Sequence, residues 1–176
     1  KEPDRWASPI TYASLQVLQQ AIEKVGKIDR AAIIKEINSG TFDTIIGNPP
    51  YVKARDIQPG TRRRLASRLL NGHSNLYLHF IEKCVRHLRP GGELIFITPR
   101  DFLKATGAAR LNTWLFDQGT ITDFQELGDT RVFDGVVPNC AIWRFEKGNS
   151  TRRLADGRRM VLAGGQLLLT RGIYSV

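Results

Sequence analysis

Two adjacent prolines directly after a short apolar run constrain this chain more than any other feature. Phe42-Asp43-Thr44-Ile45-Ile46-Gly47 reads as a buried strand, and Asn48-Pro49-Pro50-Tyr51 follows it at once. Proline holds φ near about −65° and has no N–H to donate, so the strand ends in a stiff turn whose carbonyls are free. In open parallel sheets the C-terminal strand ends are where ligands bind. The groups placed here suit a planar base carrying an exocyclic amine. An amide oxygen and a backbone carbonyl can accept the amine hydrogens, and an aromatic face can stack on the ring.

The rest of the chain alternates helical and strand patterns. Residues 10–25 carry Tyr12, Leu15, Leu18, Ile22 and Val25 at helical spacing, closed by Gly26. Asp29 can cap a second helix through about Asn38, with Ile33, Ile34 and Ile37 on one side and Ser39-Gly40 at its end. Residues 53–72 set Lys53, Arg55, Arg62, Arg63, Arg64 and Arg68 against the single acid Asp56, with a break at Pro59-Gly60 and a short helix after it. Residues 75–89 predict a helix whose stripe is Leu76, Phe80, Ile81, Cys84, Val85 and Leu88, stopped by Pro90-Gly91-Gly92. Glu93 to Thr98 predicts a buried strand. Phe102 to about Gln118 predicts a helix with Leu111, Trp114 and Leu115 on its apolar side, and 120–127 and 139–147 predict two more strands. After Gly148 the pattern weakens. Arg152, Arg153, Arg158 and Arg159 surround Asp156-Gly157, and Val161-Leu162 and Gln166 to Thr170 suit short strands. The alternation implies an α/β sandwich.

A length of 176 residues suits one domain with a partial second, and an apolar fraction of 41% supports a core. The net charge of +9 and pI of about 10.0 favour a polyanionic partner, although such a balance also suits an anionic membrane surface. No run reaches the ~18 apolar residues of a membrane span, and no signal-peptide pattern opens the chain. Lys1-Glu2-Pro3-Asp4 has no initiator Met, as expected of a piece of a longer protein. Cys84 and Cys140 lie in apolar stretches and read as buried free thiols, and His73, His79 and His87 form no ligand pair. The expectation is therefore no metal and a reducing, cytoplasmic setting.

Phe42 to Tyr51 resembles motif IV of the amino-methyltransferases, and most closely the adenine-N6 DNA methyltransferases of restriction–modification systems. Ser74-Asn75-Leu76-Tyr77-Leu78-His79-Phe80-Ile81-Glu82-Lys83 resembles the helix after that motif. Leu88-Arg89-Pro90-Gly91-Gly92-Glu93-Leu94-Ile95-Phe96-Ile97-Thr98-Pro99 resembles the turn and strand that follow, and Val132-Phe133 to Phe145 resembles motif VIII. The resemblance covers about residues 42–147. It implies the C-terminal half of a Rossmann-like α/β methyltransferase fold behind an N-terminal helical segment: 1–41 helical, 42–147 partial catalytic domain, 148–176 a tail or the start of a DNA-recognition region. It also implies S-adenosylmethionine as cofactor and double-stranded DNA as substrate. A restriction endonuclease, or a missing methyltransferase segment, is the implied partner.

The roles implied by resemblance are specific. Asn48 and the Pro49 carbonyl accept the hydrogens of the adenine amine, Pro50 shapes the turn, and Tyr51 and Phe133 stack on a flipped base. Asn48 also lies beside the cofactor. Phe80 packs on the cofactor's adenine or, on the stripe reading, is core. Arg62, Arg63 and Arg64 contact phosphate or form a solvated basic face. Relatives that carry the short motif and methylate protein glutamine or RNA leave those substrates as alternatives. The family holds its cofactor with a Gly-rich loop and an acidic residue that both precede motif IV. The segment before residue 42 reads as helices, and Gly91-Gly92 and Gly164-Gly165 have the wrong context for that loop. The chain is thus expected to hold the target-base half of the site, lack most of the cofactor half, and expose an edge on strand 42–47.

Residues 6–47, with Tyr12-Ala13-Ser14-Leu15-Gln16-Val17-Leu18 and Ser39-Gly40-Thr41-Phe42-Asp43-Thr44-Ile45-Ile46-Gly47, resemble the C-terminal part of branched-chain amino-acid solute-binding proteins. The two resemblances overlap at Phe42 to Gly47, which implies a chimera joined there and, in the extreme, a non-catalytic hybrid fragment. Chance similarity between short amphipathic helices is the alternative.

Overall fold

The computed structural model describes residues 26, 28–32, 41–65, 67–128 and 139–171. The chain divides into two compact units, Lys1–Thr41 and Phe42–Val176. In the first unit the helix expected over 10–25 lies outside the described residues. At the second helix the Ala32 N–H donates to Asp29 Oδ1 at 2.9 Å, and residues 30–32 are helical. That bond satisfies one of the amides a helix start leaves open.

The second unit holds β1 (Phe42–Gly47), a short α1 (Pro59–Arg62), α2 (Leu76–His87), β2 (Leu88–Pro99) and α3 (Ala109–Gln118). They are followed by β3 (Gly119–Glu126), β4 (Cys140–Lys147), β5 (Arg159–Ala163) and β6 (Gln166–Thr170). Four strands form one sheet in the order β1-β2-β4-β3. β1 and β2 are parallel, joined through α2, whereas β4 inserts antiparallel between β2 and β3. β1, β2 and β3 therefore run in one direction.

One face of this sheet is the core. Leu94 and Phe96 of β2, Trp143 and Phe145 of β4, and Ile121 of β3 pack with Tyr77, Leu78, Ile81 and Val85 of α2 and with Leu111 and Leu115 of α3. The Trp143 indole N–H donates to Thr98 Oγ1 at 2.9 Å, which satisfies two polar groups in an apolar setting. On the opposite face Arg144 reaches Glu93 on one neighbouring strand and Asp123 on the other. The Arg144 guanidinium holds the Glu93 carboxyl below its ordinary range.

β1 is one edge of the sheet among the described residues, as expected, and it is not a buried strand. Ile46 is 66% exposed, and only Phe42, Ile45 and Gly47 are partly covered. Pro90-Gly91-Gly92 does not simply precede β2 either. Phe42 pairs with Leu88 while Thr44 pairs with Glu93, so residues 89–92 bulge out of the ladder. Gly92 then approaches β1 closely. A Cβ there would lie 2.8 Å from the Phe42 carbonyl oxygen and 3.0 Å from that of Asp43.

The single helix expected over 102–118 is broken. A 3-10 turn spans Arg100–Leu103, another spans Thr106–Ala108, and the α-helix begins only at Ala109. Asn112 accounts for the break. Its amide donates to the Phe102 carbonyl at 2.8 Å and the Leu103 carbonyl at 3.1 Å, giving these groups partners outside a regular helix.

Residues 149–171 are not a solvated tail. β5 and β6 form a hairpin closed by Gly164-Gly165, both at positive φ, the conformation a two-residue hairpin turn requires. Leu154, Met160 and Leu167 enter the same core as the sheet. The Arg152 guanidinium lies 4.1 Å over the Phe116 ring. The division drawn at 147/148 thus has no counterpart in the packing, because the apolar side of the hairpin is covered by α3 and β3. Among the described residues, no helix is long and apolar enough to cross a membrane, and no cluster of three metal-ligating side chains occurs.

Candidate active site

The turn sits where the sheet register ends. Gly47 pairs with Phe96, and the chain then leaves β1 through Asn48. Pro49 is buried, Pro50 and Asn48 are exposed, and Tyr51 is half-buried. The Asn48 amide has no hydrogen-bond partner among the described residues. Two prolines fix the backbone on its C-terminal side, so this exposed amide is held with little backbone freedom.

Tyr51 turns back over the neighbouring strand. Its hydroxyl donates to the Ile97 carbonyl at 2.9 Å, and the Cys140 sulfur lies 3.8 Å from that hydroxyl. The ring meets Tyr77 edge-on, with centroids 6.1 Å apart. Burial pushes the Tyr51 phenol well above its ordinary value and Tyr77 up to about 12. Both rings therefore stay neutral near pH 7; they can pack and donate but cannot serve as bases.

The loop beyond Tyr51 is joined to the start of α2. The Leu76 N–H donates to the Val52 carbonyl at 2.9 Å, and the Ala54 N–H donates to Asn75 Oδ1 at 3.0 Å. Asn75 is a functional candidate that the sequence did not single out; the available signal was an Asn immediately before a helical stripe. Arg62 spends its guanidinium on the Ala54 carbonyl, so it belongs to the same loop network. Arg63 and Arg64 are exposed, with no ion pair among the described residues.

Phe80 is 40% exposed, which overturns its reading as part of the core stripe. The buried side of α2 is Tyr77, Leu78, Ile81 and Val85, with Glu82 paired to Arg86, and Phe80 lies off that line. Phe133 lies outside the described residues. A cavity of about 490 Å³ opens at the ends of β2 and β3, lined by Arg100, Asp101, Leu103, Lys104, Phe124 and Glu126. Arg100 is paired with Glu126 across it.

Residues 7–133 match the model of the Eco57I restriction-modification methylase family. That range takes in both sides of the join suggested by the solute-binding resemblance, which no comparison supports. The chain is 29% identical over 125 residues to the type II methyltransferase M.HincII of Haemophilus influenzae, covering 68% of the chain and 25% of that protein. It is 35% identical over 129 residues to M.TthHB8I of Thermus thermophilus, covering 67% and 29%. The chain spans only about a quarter of the length of these curated relatives.

Two solved structures share the fold. One is described as a class I S-adenosylmethionine-dependent methyltransferase from Listeria monocytogenes, with TM-score 0.51, 22% identity, and coverage of 65% of this chain and 34% of that one. The other is the type IIL restriction-modification enzyme MmeI in complex with DNA, with TM-score 0.51, 18% identity, and coverage of 72% and 18%. The mixed sheet, with its antiparallel strand inserted beside the edge, is thus a piece of the Rossmann-like methyltransferase fold. By its sequence match, the chain belongs to the Eco57I restriction-modification methylase family.

Proposed function

We propose that this chain is the target-base half of an S-adenosylmethionine-dependent DNA methyltransferase acting on the exocyclic N6 of adenine. The observation that carries this reading is the exposed Asn48 amide, without a hydrogen-bond partner among the described residues and held at the end of β1 by two prolines, with Tyr51 following. DNA as the macromolecule rests on family membership, on the exposed arginines and on the net charge of +9. A restriction endonuclease reading the same sequence is the partner such a modification enzyme implies, and the cytoplasm is where it would meet its DNA.

Asn48 Oδ1 accepts one amine hydrogen and the Pro49 carbonyl accepts the other. These bonds concentrate the nitrogen lone pair and aim it. When bound, S-adenosylmethionine supplies an electrophilic methyl group on a sulfonium. The described residues fit it in part: Phe80 would offer an exposed ring to its adenine, and Asn48 would offer an exposed amide at the end of β1. With the methyl group supplied in that way, Asn48 and the Pro49 carbonyl would hold the amine for in-line transfer, and the amine would give up its proton to solvent. Positioning contributes most of the rate, with no covalent enzyme intermediate. Tyr51 stacks on the extruded base; extrusion costs a few kcal/mol and stacking returns ~1–3 kcal/mol.

The test is transfer of labelled methyl from S-adenosylmethionine to mixed-sequence duplex DNA, with Asn48→Ala as control. Label in N6-methyladenine, reduced by about a hundredfold or more in the variant with melting unchanged, is the expected result. Label on RNA or protein instead, or activity unaffected by Asn48→Ala, would overturn it.

A further inference from the structure

Asn75 occupies the residue immediately before α2, with φ −64° and ψ 151°, the position from which an Asn side chain ordinarily accepts a hydrogen bond from its own helix. It makes no such bond. Its Oδ1 instead accepts the N–H of Ala54, 21 positions earlier, at 3.0 Å. The first helical amide, Leu76 N–H, is likewise turned outward onto the Val52 carbonyl at 2.9 Å. Next along, Tyr77 places its ring edge against Tyr51. Three consecutive residues at the start of α2 thus contact the stretch directly after Pro49-Pro50.

We infer that Asn75 is a positioning residue for the catalytic turn. It gives up the cap of its own helix to fix the loop at Ala54, and through that loop it sets where Asn48 and Tyr51 stand. The inference rests on the methyl-transfer reading for its kinetic consequence, but its structural claim stands apart from it. The loop's far end is already tied, because the Tyr51 hydroxyl is bonded to the Ile97 carbonyl. Without Asn75, the turn would be held on the Tyr51 side while Ala54, and the arginine segment that Arg62 links to it, would be free to shift. The bond requires an acceptor of Asn length at position 75. Asp meets that requirement. Ser does not reach, yet it is an equally good helix cap.

The experiment compares Asn75→Ser and Asn75→Asp in the complete protein, with amide hydrogen exchange, thermal unfolding and methyl-transfer kinetics read side by side. In Asn75→Ser, exchange at the Ala54 amide is expected to rise about tenfold, while the α2 amides and the melting temperature hold. Its kcat is expected to fall by about a hundredfold with KM for DNA nearly unchanged, as a small misplacement of reacting groups would produce. Asn75→Asp is expected to restore both readouts to near the parent. Exchange that rises throughout α2, or a Ser variant with parental kcat, would show a merely structural residue and overturn the inference. A parent protein that transfers no methyl to DNA would sink the proposed function, while the exchange pattern would still decide the positioning of the loop.

Discussion

Tyr51 illustrates how one side chain serves both packing and site. Its ring is proposed as the stacking wall, while its hydroxyl is committed to the Ile97 carbonyl and its edge to Tyr77. Tyr51→Phe keeps the ring and removes one half-buried hydrogen bond. The expected outcome is a loss of about 1 kcal/mol in urea unfolding with methyl transfer within about threefold of the parent. Asn48 is the opposite case. It is exposed and has no hydrogen-bond partner among the described residues, so its removal is expected to lower the proposed activity and leave the fold intact. Asn75 lies between the two. It was visible in the sequence as a helix-start residue, but its acceptor is used by Ala54, and no spacing rule reports a partner 21 positions away.

The elements were legible where their pattern was local. The helix at α2, the strand at β2 and the short strands at β5 and β6 follow from side-chain period, whereas Gly164-Gly165 was not read as the turn that its positive φ makes it. The errors arose where a neighbour overrode the local pattern. Pro90-Gly91-Gly92 reads as a helix stop, and it is also a bulge that lets β2 rejoin β1. Gly92→Ala tests that second role. Its Cβ would press on two carbonyl oxygens of β1, both backbone and unable to swing away. A loss of about 1–3 kcal/mol is expected, read as a lower melting temperature, with the β1 amides losing exchange protection before those of β4. Gly107→Ala, where nothing lies within reach of a Cβ, is the matched control.

For the molecule as a whole, the basic balance becomes a statement about partners only when the free cations are known. Arg62, Arg100, Arg144 and Arg158 are engaged with carbonyls or carboxylates, whereas Arg63 and Arg64 are exposed and unpaired among the described residues. If both contact phosphate, Arg63→Ala with Arg64→Ala should flatten the dependence of log affinity on log salt by about 1.8 for duplex DNA. An unchanged slope would assign them to a solvated face. By itself the sequence determined a strand running into a rigid Asn-Pro-Pro turn, an α/β alternation and a family, because each is written in adjacent residues or a local period. Only the tertiary structure decided that β4 enters between β2 and β3, and that Asn75 and Tyr51 tie the turn to other elements. Local patterning specifies which side of a strand faces inward, but not which strand lies beside it. Arg144 shows the difference: its two carboxylate partners come from the strands on either side, and they meet it only once the sheet is assembled.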